Sequence, residues 1–168
     1  MSGSGAPSAA ELDAEGLRVA IVASSWHDQV MDGLIGGATS ACTRAGAVSV
    51  LYRVSGTFEL SLAAQVAARA GFDAVVALGV VIRGGTPHFE YVCDAATTGL
   101  NRVALDTGVP IGFGVLTCDD EAQALDRAGL PGSREDKGRE AAEASLSLAL
   151  TLPTIRRPGS AQQTGFSG

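Results

Sequence analysis

The 168-residue chain has two histidines, and one of them, His88, lies in a run suited to starting a helix around an anion: Ile82, Arg83, Gly84, Gly85, Thr86, Pro87, His88, Phe89. Gly84 and Gly85 free the backbone, the Thr86 hydroxyl can cap, and Pro87 suits the first helical position. The exposed N–H groups of such a start, with Thr86 and Arg83 beside them, form a site for a phosphate or another small anion. His88 falls in the first turn, where the positive end of the helix dipole disfavours an imidazolium and a neutral ring can carry a proton. The alternative is a helix-start imidazole bonded to the backbone.

Two other short segments offer chemistry. Ser24, Ser25, Trp26 and His27 include the only tryptophan, which either plugs the core or offers a flat face to a heteroaromatic ring. His27 is either a second acid or base or a solvent-facing residue of a first helix turn. In Ser55, Gly56, Thr57, Phe58, Glu59, the carboxylate either caps the helix that follows or binds hydroxyl groups. Arg127 and Lys137 flank the loop Gly129 to Ser133. They either serve an anion or pair with Glu135 and Asp136. Cys42, Cys93 and Cys118 are odd in number, widely spaced and free of a metal-ligand pattern. They read as reduced thiols with no zinc, and Cys93 and Cys118 as small buried hydrophobes with no assigned role.

The elements that must carry these residues alternate. Apolar, β-branched runs at Arg18 to Ser24, Val48 to Val54, Ala74 to Ile82 and Pro110 to Thr117 have the length of strands and the continuity of buried parallel ones. Helical faces lie between them: Val30, Leu34, Ala38, Ala41 and Ala45; then Leu62, Val66 and Ala70; then Val92, Ala96, Leu100 and Val103. Two further helices are expected near Asp120 to Ala128 and Asp136 to Leu152. This order predicts an α/β three-layer sandwich, a flavodoxin-like parallel four-stranded sheet with helices on both faces. In such sheets the ligand crevice lies beyond the carboxyl ends of the strands, where all three chemical segments fall.

The bulk numbers narrow the partners. A chain of this length, 46% hydrophobic, supports one domain, expected at 17–152 between flexible tails at 1–16 and 153–168. A net charge of −6 without a basic patch speaks against nucleic acid and anionic membrane surfaces. The N-terminus lacks the charge and apolar run of a signal peptide and no stretch reaches a bilayer span, so a cytoplasmic location is expected. A dinucleotide-binding domain is excluded, because no G-x-G-x-x-G follows the first strand and no suitable acid ends the second.

Five segments, taken in order, resemble the lumazine synthase family, as it occurs in actinobacteria: Ala23 to Trp26, Gly56 to Glu59, Leu78 to Tyr91, Phe113 to Thr117 and Ala124 to Gly129. The resemblance spans about Leu17 to Leu152. It implies condensation of 5-amino-6-(D-ribitylamino)uracil with 3,4-dihydroxy-2-butanone 4-phosphate, giving 6,7-dimethyl-8-ribityllumazine, phosphate and water on the way to riboflavin, with no metal or organic cofactor. Trp26 then matches the aromatic that stacks on the pyrimidine. Gly56, Thr57, Phe58 and Glu59 match the segment that holds the ring and the ribityl hydroxyls, and Val80, Val81 and Ile82 the backbone that edges it. Gly84, Gly85 and Thr86 match the phosphate loop, completed by Arg127 of a neighbouring subunit, which also lends Phe113 and Lys137. His88 matches the proton carrier.

The resemblance also implies a homopentamer with shared sites, here without further assembly into a shell, and riboflavin synthase stands as a candidate partner. Ser55 and Ser61 depart from the family's usual prolines, which puts pocket rigidity in question. A non-catalytic flavin- or lumazine-binding scaffold is the rival reading.

Overall fold

The computed structural model describes residues 12–157. The expected tails lie largely outside this range. The chain runs β1 (Arg18–Ser24), α1 (Asp28–Arg44), β2 (Val48–Val54), a 3-10 turn (Thr57–Glu59), α2 (Leu60–Arg69), β3 (Ala74–Ile82), α3 (His88–Thr107), β4 (Ile111–Cys118), α4 (Glu121–Leu125) and α5 (Lys137–Arg156). The four strands are parallel in the order β2-β1-β3-β4. Helices α1, α4 and α5 cover one face and α2 and α3 the other, so two apolar clusters sandwich the sheet. This is the flavodoxin-like arrangement that the alternating pattern predicts.

Strands β1 and β3 are buried along almost their whole length, which explains their unbroken apolar sequences: both faces need cover. Ile21, Leu34, Leu78 and Leu146 are fully buried, each contributing about 1.5–3 kcal/mol relative to exposure. The crossing of α1 and α5 depends on glycine. A Cβ on Gly138 would stand 2.0 Å from the Leu34 carbonyl oxygen; the segment between α4 and α5 lies as close to α1, where a Cβ on Gly33 would stand 2.3 Å from the Ala128 carbonyl oxygen.

Four expectations need correcting. β2 is not a buried strand: it forms one edge of the sheet, and Val48, Val50, Leu51 and Tyr52 are exposed. On α2 the inward face is Leu60, Ala64, Ala67 and Ala68, whereas Leu62 and Val66 face outward; a helix apolar on both sides cannot reveal which side meets its own sheet. α5 continues through Pro153 to Arg156, beyond Leu152, since an exposed final turn tolerates the loss of one backbone bond. Packing starts before Leu17, because Ala14 is buried and donates its N–H to the Ala45 carbonyl at 2.7 Å.

Candidate functional site

The first group of chemical residues gathers where β1, β2 and β3 end. Ser25 Oγ donates to the Val54 carbonyl at 2.8 Å, tying two strand ends together. His27 then adopts φ 60° and ψ 66°, the only non-glycine residue with positive φ among those described. The reversal starts α1 and leaves Trp26 pointing outward, 68% exposed, so the core reading of Trp26 fails. His27 is half-buried before the first turn of α1, and its side chain does not cap it.

Gly56 lies between the indole and the carboxylate. A Cβ there would stand 3.8 Å from Trp26 Nε1 and 3.2 Å from Glu59 Oε2, so a ring face and a hydroxyl acceptor share one small space. Glu59 immediately precedes α2 but its side chain caps nothing, which removes the capping explanation. Thr57 is buried and donates to the Val80 carbonyl at 3.3 Å. Its hydroxyl therefore pins the 3-10 turn to β3, while Phe58 and Glu59 project from that turn, Phe58 63% exposed. Gly79 makes room, since a Cβ there would meet Thr57 Oγ1 at 2.7 Å. Val80 is buried, and Val81 and Ile82 emerge partly into solvent. Ser61 Oγ is buried without a hydrogen-bond partner and packs on Gly99, where a Cβ would lie 2.3 Å away.

The loop after β3 differs from its expected form in two ways. Gly84 and Gly85 do not have positive φ, and a Cβ on either would meet nothing within 4 Å. No side chain caps α3, so Thr86 is not its cap; Pro87 stands just before the first helical residue, His88. Thr86 and His88 are exposed, and the imidazole makes no hydrogen bond to the described residues, which removes the backbone-bonded alternative.

Arg83 is not the loose cation expected beside an anion-binding helix start. Its guanidinium pairs with Glu90 and with Asp119, the latter at 3.0 Å, and lies 4.1 Å over the Phe89 ring. Hydrogen bonds from Arg83 hold the carboxyls of Glu90 and Asp119 below the usual carboxylate range. Neither carboxylate was apparent from sequence. The only signal for Asp119 is the pairing of Ile82 with Cys118, which brings the two strand ends level.

The second group lies on the β4 edge. A cavity of about 340 Å³ is lined by residues 113–118 of β4 with Arg127, Glu135 and Lys137. Phe113 is 46% exposed there. Gly112 and Gly114 face the other way, against Ala141 of α5. An antiparallel bridge between Ala128 and Asp136, with Lys137 N donating to the Arg127 carbonyl at 3.0 Å, closes the loop between α4 and α5. It sets the two cations side by side.

Arg127 Nη1 donates to the Gln123 carbonyl at 2.9 Å, and its Nε stands 4.0 Å from Glu135. Lys137 Nζ contacts Glu135 at 2.9 Å and Glu140 at 2.8 Å. Burial pulls the Lys137 ammonium down, but hydrogen bonds with Glu140 and Glu135 outweigh it and hold the group above its usual range. The pairing with Glu135 expected from sequence is present; Asp136 instead accepts from Arg139 N at 2.9 Å and caps α5. Burial raises the thiols of all three cysteines, Cys42 to about 11, which disfavours the reactive thiolate.

The structure thus brings Trp26, Gly56 and Glu59 together, and separately Phe113, Arg127 and Lys137. None of Trp26, Glu59 or His88 lines the cavity of the second group. Among the described residues no helix is long and apolar enough to cross a membrane.

Comparison with known proteins gives a consistent result. The profile of the family described as 6,7-dimethyl-8-ribityllumazine synthase matches residues 16–152. The chain is 64% identical over 157 residues to the protein of that name from Leifsonia xyli subsp. xyli, covering 93% of this chain and 99% of the relative. It is 64% identical over 153 residues to the one from Kineococcus radiotolerans, covering 90% and 94%. With the one from Streptomyces coelicolor the identity is 57% over 159 residues, covering 94% and 99%.

Proposed function

This chain belongs to the 6,7-dimethyl-8-ribityllumazine synthase family, and from that premise we propose that it catalyses the condensation which gives the family its name. The substrates are the ribitylaminouracil and the butanone phosphate, and the reaction uses no cofactor. One observation carries this reading: an exposed indole and a carboxylate share one space around Gly56 at the strand ends, while a cavity on the β4 edge holds an exposed aromatic and two cations, so each group supplies what the other lacks. Joining them across two copies of the chain places an aromatic ring, hydroxyl acceptors and a phosphate clamp in one enclosure.

Within it, Trp26 stacks on the pyrimidine, Gly56 leaves room for the ring, and Phe58 and Glu59 hold ring and ribityl chain. Thr57 contributes by fixing that turn. Backbone groups of Val80, Val81 and Ile82 edge the ring, while Phe113 and Lys137 of the neighbour cover it. Gly84, Gly85, Thr86 and the neighbour's Arg127 bind phosphate. The open space over both glycines supports this role, since crowding within the chain does not demand glycine at either position. Amine attack on the ketone, imine formation, phosphate elimination and ring closure each move a proton, and exposed His88 is positioned to carry it.

Purified protein given both substrates is expected to produce lumazine, followed by its absorbance. Binding of lumazine or flavin without turnover would overturn the reading in favour of a carrier or scaffold. The exposed β2 edge, with Leu62 and Val66 of α2, presents large apolar side chains to solvent, as interaction surfaces do. This supports a homo-oligomer, proposed as a pentamer working in the cytoplasm. Native mass spectrometry tests it: a monomer or a shell would contradict the free pentamer.

A further inference from the structure

Glu135 lies in the wall of the β4-edge cavity with the two cations of the proposed phosphate clamp. Its Oε2 is 2.9 Å from Lys137 Nζ and 4.0 Å from Arg127 Nε, so one carboxylate oxygen serves both. A carboxylate in this position could be needed to hold the cations in place, or it could be a competitor for them. The other contacts decide between these. Arg127 donates a hydrogen bond to the Gln123 carbonyl at 2.9 Å and Lys137 pairs with Glu140 at 2.8 Å, and neither contact involves Glu135. Both cations are therefore positioned from outside the cavity, and Glu135 adds negative charge inside it.

We propose that Glu135 is an internal counter-anion, which competes with phosphate for Arg127 and Lys137 and so speeds release of the phosphate product. The proposal rests on the assignment of Arg127 to phosphate. When an anion enters, the carboxylate gives up its longer contact with Arg127; when phosphate departs, the carboxylate closes on the cations again. The clamp is thus set to hold a substrate that has other contacts in the pocket and to hold free phosphate poorly. The effect is modest, because the pair is partly solvated: the side chains of Arg127 and Glu135 are 34% and 22% exposed.

The test measures inorganic phosphate binding by calorimetry, and phosphate inhibition of lumazine formation, on the assembled protein. Glu135→Gln is expected to bind phosphate about fivefold more tightly than wild type, equivalent to ~1 kcal/mol, with inhibition strengthened in proportion. Glu135→Asp, which keeps the charge, is expected to stay near wild type, and Glu135→Ala gives the same direction as glutamine should that variant fold poorly. Unchanged or weaker phosphate binding in the glutamine and alanine variants, with Arg127→Ala still abolishing it, would overturn the counter-anion role while leaving the clamp intact. Phosphate binding indifferent to Arg127→Ala would overturn both.

Discussion

Two arginines stand near the proposed anion site, and the fold treats them in opposite ways. Arg83 leaves β3 and is caught at once by Glu90 of α3, by Asp119 beyond β4 and by the Phe89 ring. It joins the start of α3 to the end of β4. Arg127, in the segment between α4 and α5, is anchored by a neutral carbonyl and shares one carboxylate with Lys137 at the longer distance of 4.0 Å. The first guanidinium meets two carboxylates and a ring, the second one carboxylate at a longer reach. In sequence Arg83 is the more suggestive of the two, because it adjoins the glycines, but adjacency does not decide what a cation does. The carboxylates that reach it decide.

The contrast can be broken most forcefully at the residue that Arg83 helps to place. His88→Ala is expected to lower kcat by roughly 100-fold while leaving residual turnover, because proximity of the substrates is untouched. A wild-type rate would remove the proton-transfer role. Arg127→Ala is expected to raise KM for the phosphate substrate by about 30-fold, the scale of one charge-assisted hydrogen bond, with a smaller change in kcat. An unchanged KM would place the clamp elsewhere.

Arg83→Ala is expected to behave differently from both, lowering kcat by less than about tenfold with KM for phosphate substrate little changed, since the loss is one of positioning. If its KM rose as far as that of Arg127→Ala, the two arginines would have to be regarded as equivalents. The smallest effect concerns pH. Arg83 depresses the carboxyls of Glu90 and Asp119, so their contribution to stability is present above the ordinary carboxylate pKa of about 4 and disappears as pH falls through the depressed values. The difference in Tm between wild type and Arg83→Ala should therefore be constant from pH 8 to about 5 and shrink towards pH 3. A difference that grew with acidity would contradict the clasp.

Much of this architecture was legible in the residues. The continuous apolar sequences of β1 and β3 could belong only to strands covered on both sides, and the structure agrees with their bounds. β2 reads the same way for a different reason: Val48, Val50 and Leu51 are apolar although their own chain leaves them exposed. An apolar run suits a covered surface, without recording whether its own chain supplies the cover. Leu62 and Val66 on α2 misled for the same reason.

At the site, residue types pointed to His88, Glu59 and Arg127, but pairings were hidden. The contact of Arg83 with Asp119 depends on strand register, and the role of Thr57 as a clamp on Val80 depends on Gly79 having no side chain. Trp26 was ambiguous until the left-handed turn at His27 settled its direction.

The close crossing of α1 and α5 at Leu34 and Gly138 has a consequence in time. Helix α1 is complete when the ribosome has passed Arg44, but the helix that covers Leu34 and Ala38 starts at Lys137. At ordinary elongation rates that interval is roughly 5 to 20 seconds, during which the part of α1 that α5 covers stays open in the nascent chain. The α4–α5 segment bearing Arg127 and Lys137 is therefore among the last parts of the described chain to be secured.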